Sequence, residues 1–269
     1  MSRPVDVKVA QLYEALDRLG CVAVAVSGGV DSLTLAVLAH RRLGANAAMY
    51  HAVSPAVPAE ATARTRRYAE RFGWNLALID AGEFSDSEYV RNPVNRCFFC
   101  KSNLYSTIFR HSRKTIVSGT NLDDLSDYRP GLKAADLFRV FHPYVATGVG
   151  KKLVRAIAAA LDLDDIAELP ASPCLSSRLE TGIPVDAQTL EFVHAVEMLI
   201  GESLRARTVR CRIRRDGPVI ELDETSCERV LSEEFEALRE RIESLALVHG
   251  YLDSPRFERY RMGSAFLRD

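Results

Sequence analysis

The first half of the chain alternates between short apolar runs and longer amphipathic stretches. The runs CVAVAV (21–26) and NAAMYHAV (46–53) are continuously apolar, which is typical of strands buried on both faces of a parallel sheet. Two further strands are predicted at 74–80 and 114–121, and helices are predicted at 33–44 and 58–73. Strands that alternate with helices predict right-handed crossovers and an open parallel sheet covered on both faces.

The pattern changes after about residue 170. The remaining chain predicts a helix (186–200), a hairpin around Asp216-Gly217 within 208–223, a second helix (232–245) and a strand, LVHGYLD (247–253). We therefore predict an α/β fold: an open parallel sheet domain at 1–170, followed by a small α+β domain at 171–269.

Composition narrows the function classes. The chain has 269 residues and a net charge of −1, which argues against a generally basic nucleic-acid-binding protein. No apolar run approaches the roughly 18 residues of a membrane-spanning helix, and the N-terminal stretch mixes acids and bases, unlike a signal peptide. We therefore expect a cytoplasmic protein without a membrane partner, whose six cysteines are reduced, metal-bound or reactive.

The hexapeptide SGGVDS (27–32) lies between the first predicted strand and a helix. Gly28 and Gly29 permit close backbone approach, and the first N–H groups of the helix form an anion site to which Ser27 and Ser32 add hydroxyl donors. Asp31 is unusual in a phosphate site unless it caps the helix or holds Mg²⁺. The loop lacks the lysine of a Walker A motif. It resembles the PP-loop of ATP pyrophosphatases, which release pyrophosphate as they form an adenylate.

A second loop, SGTNLDD (118–124), follows the fourth predicted strand. Ligands of open α/β sheets collect at the carboxyl ends of the strands, and the corresponding segment of PP-loop enzymes lies by the nucleotide. Gly119, Thr120 and Asp124 are therefore candidate nucleotide-binding residues. A simple Asx turn between strand and helix is the alternative.

Three cysteines stand out. Cys97 and Cys100 share one face if 97–110 is helical, and Cys174 lies in ASPCLSSR, a composition typical of an exposed loop. The residues alone leave open an iron–sulfur cluster with three protein ligands, a zinc site or unrelated thiols. Cys21 is expected to be a buried inert thiol in a core strand, and Cys211 and Cys227 are also expected to be structural.

Together these segments resemble the LarE family of ATP-dependent sulfur transferases. The matching segments are AVSGGVDS, NPVNRCFFCK, SGTNLDDLSDYRPGLKAA, SPCLSSR, VRCRIR and YRMGS, in the family's order along nearly the whole chain. The resemblance implies a PP-loop fold (adenine nucleotide alpha hydrolase-like). It implies ATP and Mg²⁺ as cofactors and adenylation of a carboxylate of pyridinium-3,5-biscarboxylic acid mononucleotide. A sulfur nucleophile then displaces AMP, in biosynthesis of the nickel-pincer nucleotide.

The resemblance also implies roles for single residues. Members with the CxxC pair are implied to hold a [4Fe-4S] cluster on Cys97, Cys100 and Cys174, whereas members with the last cysteine alone sacrifice its sulfur. Cys174, Asp31 and Arg178 are the candidate catalytic residues. Arg210 and Arg212, which face one side of a strand, match the family's phosphate-binding pair, and Glu197 is a weaker match near that site. The alternative for the arginines is a solvated face.

Several alternatives stay open at this point. The segment RLETGIPV (178–185) departs from the family's R-x-P-Y-G-T. This loop is expected near the substrate, so the departure leaves the identity of the substrate more open than the chemistry. A cluster-dependent tRNA thiolase, an amidating PP-loop ligase and a non-catalytic nucleotide-responsive carrier are the competing functions. The expected partners are a small-molecule nucleotide substrate, sulfide or a sulfur donor, and further copies of the chain in a homo-oligomer.

Overall fold

The computed structural model describes residues 3–126, 129–170 and 172–261 of the chain. These residues divide into two units. The first contains the described residues up to Glu83 together with Cys97–Ser172, and the second contains Phe84–Arg96 and the described residues from Pro173 onward. The sequence prediction includes Phe84–Arg96 in the first domain, whereas the structure groups this segment with the second unit.

Helices and strands follow one another along both units. In chain order the helices are α1 (Arg3–Leu19), α2 (Val30–Leu43), α3 (Ala59–Phe72), α4 (Ser87–Val90), α5 (Arg96–His111), α6 (Pro130–Leu137), α7 (Pro143–Ala146), α8 (Lys151–Ala160), α9 (Asp164–Ala167), α10 (Ala187–Leu204), α11 (Glu224–Val230) and α12 (Glu236–Val248). The strands are β1 (Val22–Ala25), β2 (Ala47–Ala52), β3 (Asn75–Ile79), β4 (Thr115–Ser118), β5 (Val209–Arg214), β6 (Gly217–Leu222) and β7 (Arg256–Arg259). Short 3₁₀ turns include Leu122–Ser126 and Leu175–Arg178.

The four strands of the first unit form a parallel sheet in the order β3-β2-β1-β4. β1 pairs with both β2 and β4, so that the chain builds the sheet to one side of β1 and then returns to its other side. The strand order therefore reverses between β1 and β4, and ligands of open α/β sheets bind outside the carboxyl ends of the strands at such a point. The loops at 27–32 and 119–124 follow these two strands.

Alternate residues of β1 pack into different layers of the first unit. Val22 and Val24 join a core built with α1, α2 and α8, and Ala23 and Ala25 join a second core that includes side chains of α5 and α6. Because successive strand residues point to opposite faces, a continuously apolar strand is buried on both sides. The predicted α/β class, an open parallel sheet with a small second part, is confirmed.

In the second unit, α10 packs beside a three-stranded sheet of order β5-β6-β7. β5 and β6 form the predicted antiparallel hairpin, in which Gly217 takes a left-handed φ of +106°. Asp186 caps α10 by accepting a hydrogen bond from the Thr189 backbone N–H (2.8 Å).

Two sequence predictions are wrong. LVHGYLD (247–253) is not a strand, because α12 continues to Val248 and ends where Gly250 takes a φ of +85°. The Tyr251 backbone N–H then donates to the Ala246 carbonyl (2.9 Å), which closes the helix end. Cys21 is not in a core strand either, because β1 begins one residue later and Cys21 is exposed.

The helices are short or interrupted by charge. Among the described residues, none of them is both long enough and apolar enough to cross a membrane.

Candidate functional site

The loop from Ser27 to Ser32 is fixed by its backbone. Gly28 takes a φ of +81°, and a Cβ there would lie 2.6 Å from the Ala61 carbonyl oxygen, so only glycine fits. Gly29 is the N-cap of α2, and its own Cβ would meet only the Ser27 hydroxyl at 3.7 Å. The Ser32 hydroxyl accepts from the Ser27 N–H (3.0 Å) and lies 3.0 Å from the Ser27 hydroxyl. The loop is thus preformed as a turn into a helix N-terminus.

Asp31 is not the cap of α2, one of the two roles considered from the sequence, because Gly29 occupies that position. Its carboxylate instead pairs with the Lys151 ammonium (Oδ2–Nζ 2.5 Å) and accepts from the Asn121 amide (3.3 Å). Its backbone carbonyl accepts from the Tyr144 hydroxyl (3.1 Å). Burial, followed by the nearby Asp31 charge, raises the pKa of Tyr144, so that this residue is a neutral hydrogen-bond donor. Asp31 is therefore held from three directions within the first unit.

The second loop packs directly on the first. A Cβ on Gly119 would lie 2.9 Å from the Asp31 carbonyl carbon and 2.9 Å from the Ser32 nitrogen, so the two backbones are in contact there. The Thr120 hydroxyl lies 3.0 Å from that of Ser118. Asp124 accepts from the Asn121 N–H (3.0 Å) and pairs with Arg129 (2.9 Å). The Asx turn considered from the sequence is present, and Asn121 forms it by accepting from the Asp123 N–H (3.0 Å).

Two histidines support these loops from within the first unit. His51 is buried at the end of β2 and bridges the Val26 carbonyl (2.9 Å) and the Thr62 hydroxyl (2.8 Å). His142 lies 2.9 Å from the Ser118 hydroxyl at the end of β4. Burial lowers the pKa of both imidazoles, so both are neutral at pH 7.

Cys97 and Cys100 lie one turn apart in α5, which confirms the predicted helix. Both are half-buried, and positions i and i+3 share a helix face. The helix begins at Arg96, which is 3% exposed and donates to the Asn92 amide oxygen. The Arg96 Nη2 atom is buried and has no hydrogen-bond partner among the described residues. A guanidinium N–H of this kind suits an anionic group.

Cys174 belongs to the second unit and lies immediately before the 3₁₀ turn Leu175–Arg178. Arg178 is 2% exposed and forms a two-pronged ion pair with Glu197 (2.9 and 2.7 Å). Its remaining nitrogen donates to the carbonyls of Pro173 (2.6 Å) and Cys174 (3.0 Å). Burial lowers the pKa of Arg178, but the bond and charge of Glu197 outweigh burial and raise it. Arg178 thus holds the backbone of Pro173 and Cys174 in place.

A second set of contacts holds the same loop. The Tyr89 hydroxyl, on α4, lies 2.7 Å from the Ser176 hydroxyl, and both residues are buried. The Asn92 amide donates to the carbonyls of Glu180 (2.9 Å) and Ile183 (2.8 Å). The segment Phe84–Arg96 therefore packs within the second unit against the chain that follows Cys174.

The side chains of Arg210 and Arg212 lie on one face of β5, as their alternate positions imply. Arg212 is 5% exposed, pairs with Glu221 (3.0 Å) and donates to the Ser177 carbonyl (2.9 Å). Arg210 is half-buried, and burial followed by repulsion from Arg178 lowers its pKa. A cation whose charge is opposed by its surroundings favours an incoming anion. Both arginines remain candidates for a substrate phosphate.

The structure gives Glu197 a structural role, and its predicted place near the substrate phosphate stays a prediction. Besides Arg178, its carboxylate accepts from the Cys211 N–H (2.9 Å). Cys211 is fully buried, and burial raises the pKa of its thiol well above the usual range, which fits the expected inert thiol. Cys227 is buried as well.

Among the described residues, no group of three or more His, Cys, Asp or Glu side chains is arranged to hold a metal ion. Cys97 and Cys100 belong to the first unit and Cys174 belongs to the second. The assignment of these three cysteines to a cluster stays a prediction. Two of the quoted motifs also extend beyond the described residues, at 127–128 and 262–264.

Sequence reasoning missed three residues that the structure places at these loops. Lys151 and Asn121 hold the Asp31 carboxylate, and Tyr89 holds the Cys174 loop. Asn121 lies inside the second loop, SGTNLDD (118–124). Lys151 follows Gly148-Val149-Gly150, a turn before a helix, but no local signal connects it to a carboxylate 120 positions earlier.

Comparison with known proteins agrees with these motifs. No protein-family profile matches the chain. The Synechocystis protein slr1717 is 34% identical over 222 residues, which cover 81% of this chain and 82% of that protein. The pyridinium-3,5-bisthiocarboxylic acid mononucleotide synthase of Lactiplantibacillus plantarum is 31% identical over 222 residues, 81% of this chain and 80% of the synthase. The Methanocaldococcus jannaschii protein MJ0830 is 24% identical over 229 residues, covering 81% of this chain and 83% of that protein. By its similarity to the synthase, the chain belongs to the LarE family.

Proposed function

We propose that this protein is an ATP-dependent sulfur transferase that makes a thiocarboxylate on a pyridinium carboxylate nucleotide, in biosynthesis of the nickel-pincer nucleotide. The observation that carries the proposal is the contact between SGGVDS and the second loop at the point where the strand order reverses. The relative from Lactiplantibacillus plantarum, whose name gives that product, supplies the substrate class. A carboxylate is a poor electrophile, and conversion to an adenylate gives it a good leaving group.

In the first step a substrate carboxylate oxygen attacks the α-phosphorus of ATP. The new bond is oxygen to phosphorus, the bond that breaks joins the α-phosphorus to the bridging oxygen, and pyrophosphate leaves with that electron pair. The backbone N–H groups after Gly28 and Gly29 and the hydroxyls of Ser27 and Ser32 suit the phosphates. Asp31 is the residue that would hold Mg²⁺, because a partly exposed carboxylate is a ligand that Mg²⁺ prefers.

In the second step a sulfur nucleophile attacks the carbonyl carbon of the adenylate. The carbon–sulfur bond forms, the carbon–oxygen bond to AMP breaks, and a hydrosulfide nucleophile loses its proton to leave the thiocarboxylate. Only the deprotonated sulfur is a good nucleophile. Arg210 and Arg212 are proposed to bind the phosphate of the substrate nucleotide, and Arg178 to position the Cys174 loop.

We propose that Cys97, Cys100 and Cys174 hold a [4Fe-4S] cluster that supplies this sulfur. Three thiolate ligands leave one iron open to an external sulfide, which is the chemistry that such a cluster adds. Two cysteines one turn apart on a half-buried helix face suit two of the ligands. The unpartnered Nη2 of Arg96, the residue directly before Cys97, suits a nearby anionic sulfur group.

Sacrifice of the Cys174 sulfur is the second candidate. Cys174 is half-buried, and its carbonyl is fixed by Arg178, which would orient its thiol for attack. In this route the thiolate attacks the adenylate to give a thioester and AMP. Loss of the cysteine α-proton then breaks the Cβ–sulfur bond and leaves dehydroalanine and the thiocarboxylate.

Pyrophosphate release tests the overall proposal. Purified protein is mixed with Mg²⁺, ATP and pyridinium-3,5-biscarboxylic acid mononucleotide, and pyrophosphate and AMP are measured. Release that requires the substrate supports adenylation. An amidated product that forms only when ammonia is added contradicts the proposal. Salt-sensitive binding of tRNA in place of the small nucleotide contradicts it as well.

The sulfur source needs a separate measurement. Anaerobically reconstituted protein is expected to absorb broadly in the visible range, and Cys97→Ala is expected to lose this absorption while Cys227→Ala keeps it. Mass spectrometry after turnover without added sulfide is expected to find Cys174 intact. A Cys174 peptide lighter by one hydrogen sulfide, in a colourless protein, establishes the sacrificial route instead.

A further inference from the structure

We propose that Lys151 is the cation that binds the triphosphate of ATP, and that its pairing with Asp31 is the resting state of the empty site. This inference rests on the proposed use of ATP. The SGGVDS loop contains no lysine or arginine, so the charge that a departing pyrophosphate requires must come from elsewhere. The Lys151 ammonium lies 2.5 Å from a carboxylate oxygen of that loop.

The position of Lys151 is set by its backbone. It is the first residue of α8, and its N–H donates to the Asp123 carboxylate of the second loop. A Cβ on Gly150 would lie 2.8 Å from the same carboxylate oxygen, so a larger residue there would push the Asp123 carboxylate aside. Asp123 thus ties the start of α8 to the loop after β4. A side chain anchored in this way has only its flexible stem to move.

The Asp31 carboxylate cannot serve Mg²⁺ and Lys151 equally. One oxygen accepts from Asn121 and the other pairs with Lys151, so a metal ion at the second oxygen would compete directly with the ammonium. A metal ion that bound Asp31 would repel the ammonium and release it. The released Lys151 ammonium would then bind the phosphates of the Mg²⁺-bound ATP. The side chains of Lys151 and Asp31 are 35% and 24% exposed, so a solvated ligand has access to the pair.

A second cation that contacts the SGGVDS loop, Arg64, has a different role. Arg64 donates to the Gly28 carbonyl (2.7 Å), and its position on α3 fixes the turn at Gly28. Burial, followed by repulsion from Arg67, lowers the pKa of Arg64. Lys151, in contrast, contacts the Asp31 side chain, which would exchange the ammonium for Mg²⁺ when the metal binds. Lys152 follows it on the same helix and is exposed, which makes it a matched control.

Nucleotide binding measured by calorimetry tests the proposal on the full chain. Lys151→Gln is expected to weaken binding of Mg²⁺-ATP by about tenfold to a hundredfold, the range for lost hydrogen bonds to charged groups, while AMP binds unchanged. Lys152→Gln is expected to bind both like the wild type, and Lys151→Arg to recover part of the ATP affinity. Asp31→Asn is expected to reduce the dependence of ATP binding on Mg²⁺.

Three results would overturn the inference. Unchanged ATP binding by Lys151→Gln removes Lys151 from the phosphate site. Equal losses for ATP and AMP, together with a lower melting temperature, assign it a structural role in holding Asp31. If the wild-type protein binds no ATP, the proposed function fails with it, whereas a wild type that binds ATP and a Lys151→Gln variant that binds it equally well refute this inference alone.

Discussion

The loops that carry Asp31 and Cys174 are fixed in different ways. The SGGVDS loop is shaped by its own backbone, through a left-handed glycine and a helix that begins at once. The Cys174 loop is fixed by side chains from elsewhere, with Arg178 anchored on Glu197 and Ser176 bonded to Tyr89. The first design holds N–H groups in place for an anion. The second fixes a backbone while leaving a thiol half-exposed.

The difference indicates where each loop is vulnerable. A backbone-built loop fails when a glycine gains a side chain, even if no hydrogen bond changes. A loop fixed by a buried ion pair fails when one partner is removed, because the other charge stays buried without compensation. The following predictions separate the two cases.

The largest effect is expected for Arg178→Met. Removal of the guanidinium leaves the Glu197 carboxylate, which is 12% exposed, without its cation and leaves the Pro173 and Cys174 carbonyls without a donor, at a cost of about 3–5 kcal/mol in the free energy of unfolding. Urea denaturation measures this loss. Arg91→Met, which removes an exposed ion pair with Glu88, is the control and is expected to change stability little. Equal stability of both variants would contradict a buried role for Arg178.

Gly28→Ala is expected to have the next largest effect. The left-handed φ and the 2.6 Å approach to the Ala61 carbonyl together cost about 2–4 kcal/mol, and the loop must shift. We expect loss of ATP binding by calorimetry along with the lower stability. Gly29→Ala adds the same methyl group one position later, where the nearest atom is 3.7 Å away. This variant should retain most of the ATP affinity and most of the stability. Comparable losses in the two variants would show that the turn is not built as described.

A smaller effect is expected for Tyr89→Phe. The change removes one buried hydrogen bond to Ser176, worth about 1 kcal/mol, and leaves the ring in place. Ser176→Ala should cost a similar amount, and the double variant should cost less than the sum because both changes remove the same bond. Strict additivity in urea denaturation would exclude a direct bond between the two hydroxyls.

The most gradual effect is a pH dependence of stability, which develops over a range of pH and not from a single substitution. Burial lowers the pKa of His51 and His142, so below about pH 6.5 the unfolded chain takes up protons that the folded protein does not. Stability should be constant from pH 8 to about pH 7 and should fall below about pH 6.5, by at most about 1.4 kcal/mol per pH unit for each histidine. His51→Gln should flatten part of this slope. A stability that rises on acidification over this interval would contradict neutral histidines.

Much of the first loop could be predicted from the sequence, because its signals are local. A continuous apolar strand, two glycines and a helix start within a dozen residues define the turn, and the structure has it there. The sheet order could not be predicted in the same way, because the place of β4 beside β1 is decided by packing of the whole unit. The contact of Gly119 with Asp31 follows from that order.

The supports of the Cys174 loop could not be predicted, because their partners are distant in sequence. Ser176 and Tyr89 are 87 positions apart, and neither residue type alone indicates a bond. The strand predicted at 247–253 is wrong for a local reason. Leu247 and Val248 are apolar residues that suit a buried strand, but they lie at the end of a helix and are exposed. β7 has the sequence RFER, which lacks a clear alternation of apolar and polar residues, so no sequence pattern predicts this strand.

The excursion of Phe84–Arg96 into the second unit has a consequence for the order in which the protein is made. Tyr89 leaves the ribosome 87 residues before Ser176, and Asn92 precedes its acceptor Glu180 by 88. This segment must therefore wait, through the synthesis of the rest of the first unit, for the chain on which it packs. By the order of the sequence, Cys97 and Cys100 also leave the ribosome long before the loop that carries Cys174 has been synthesised.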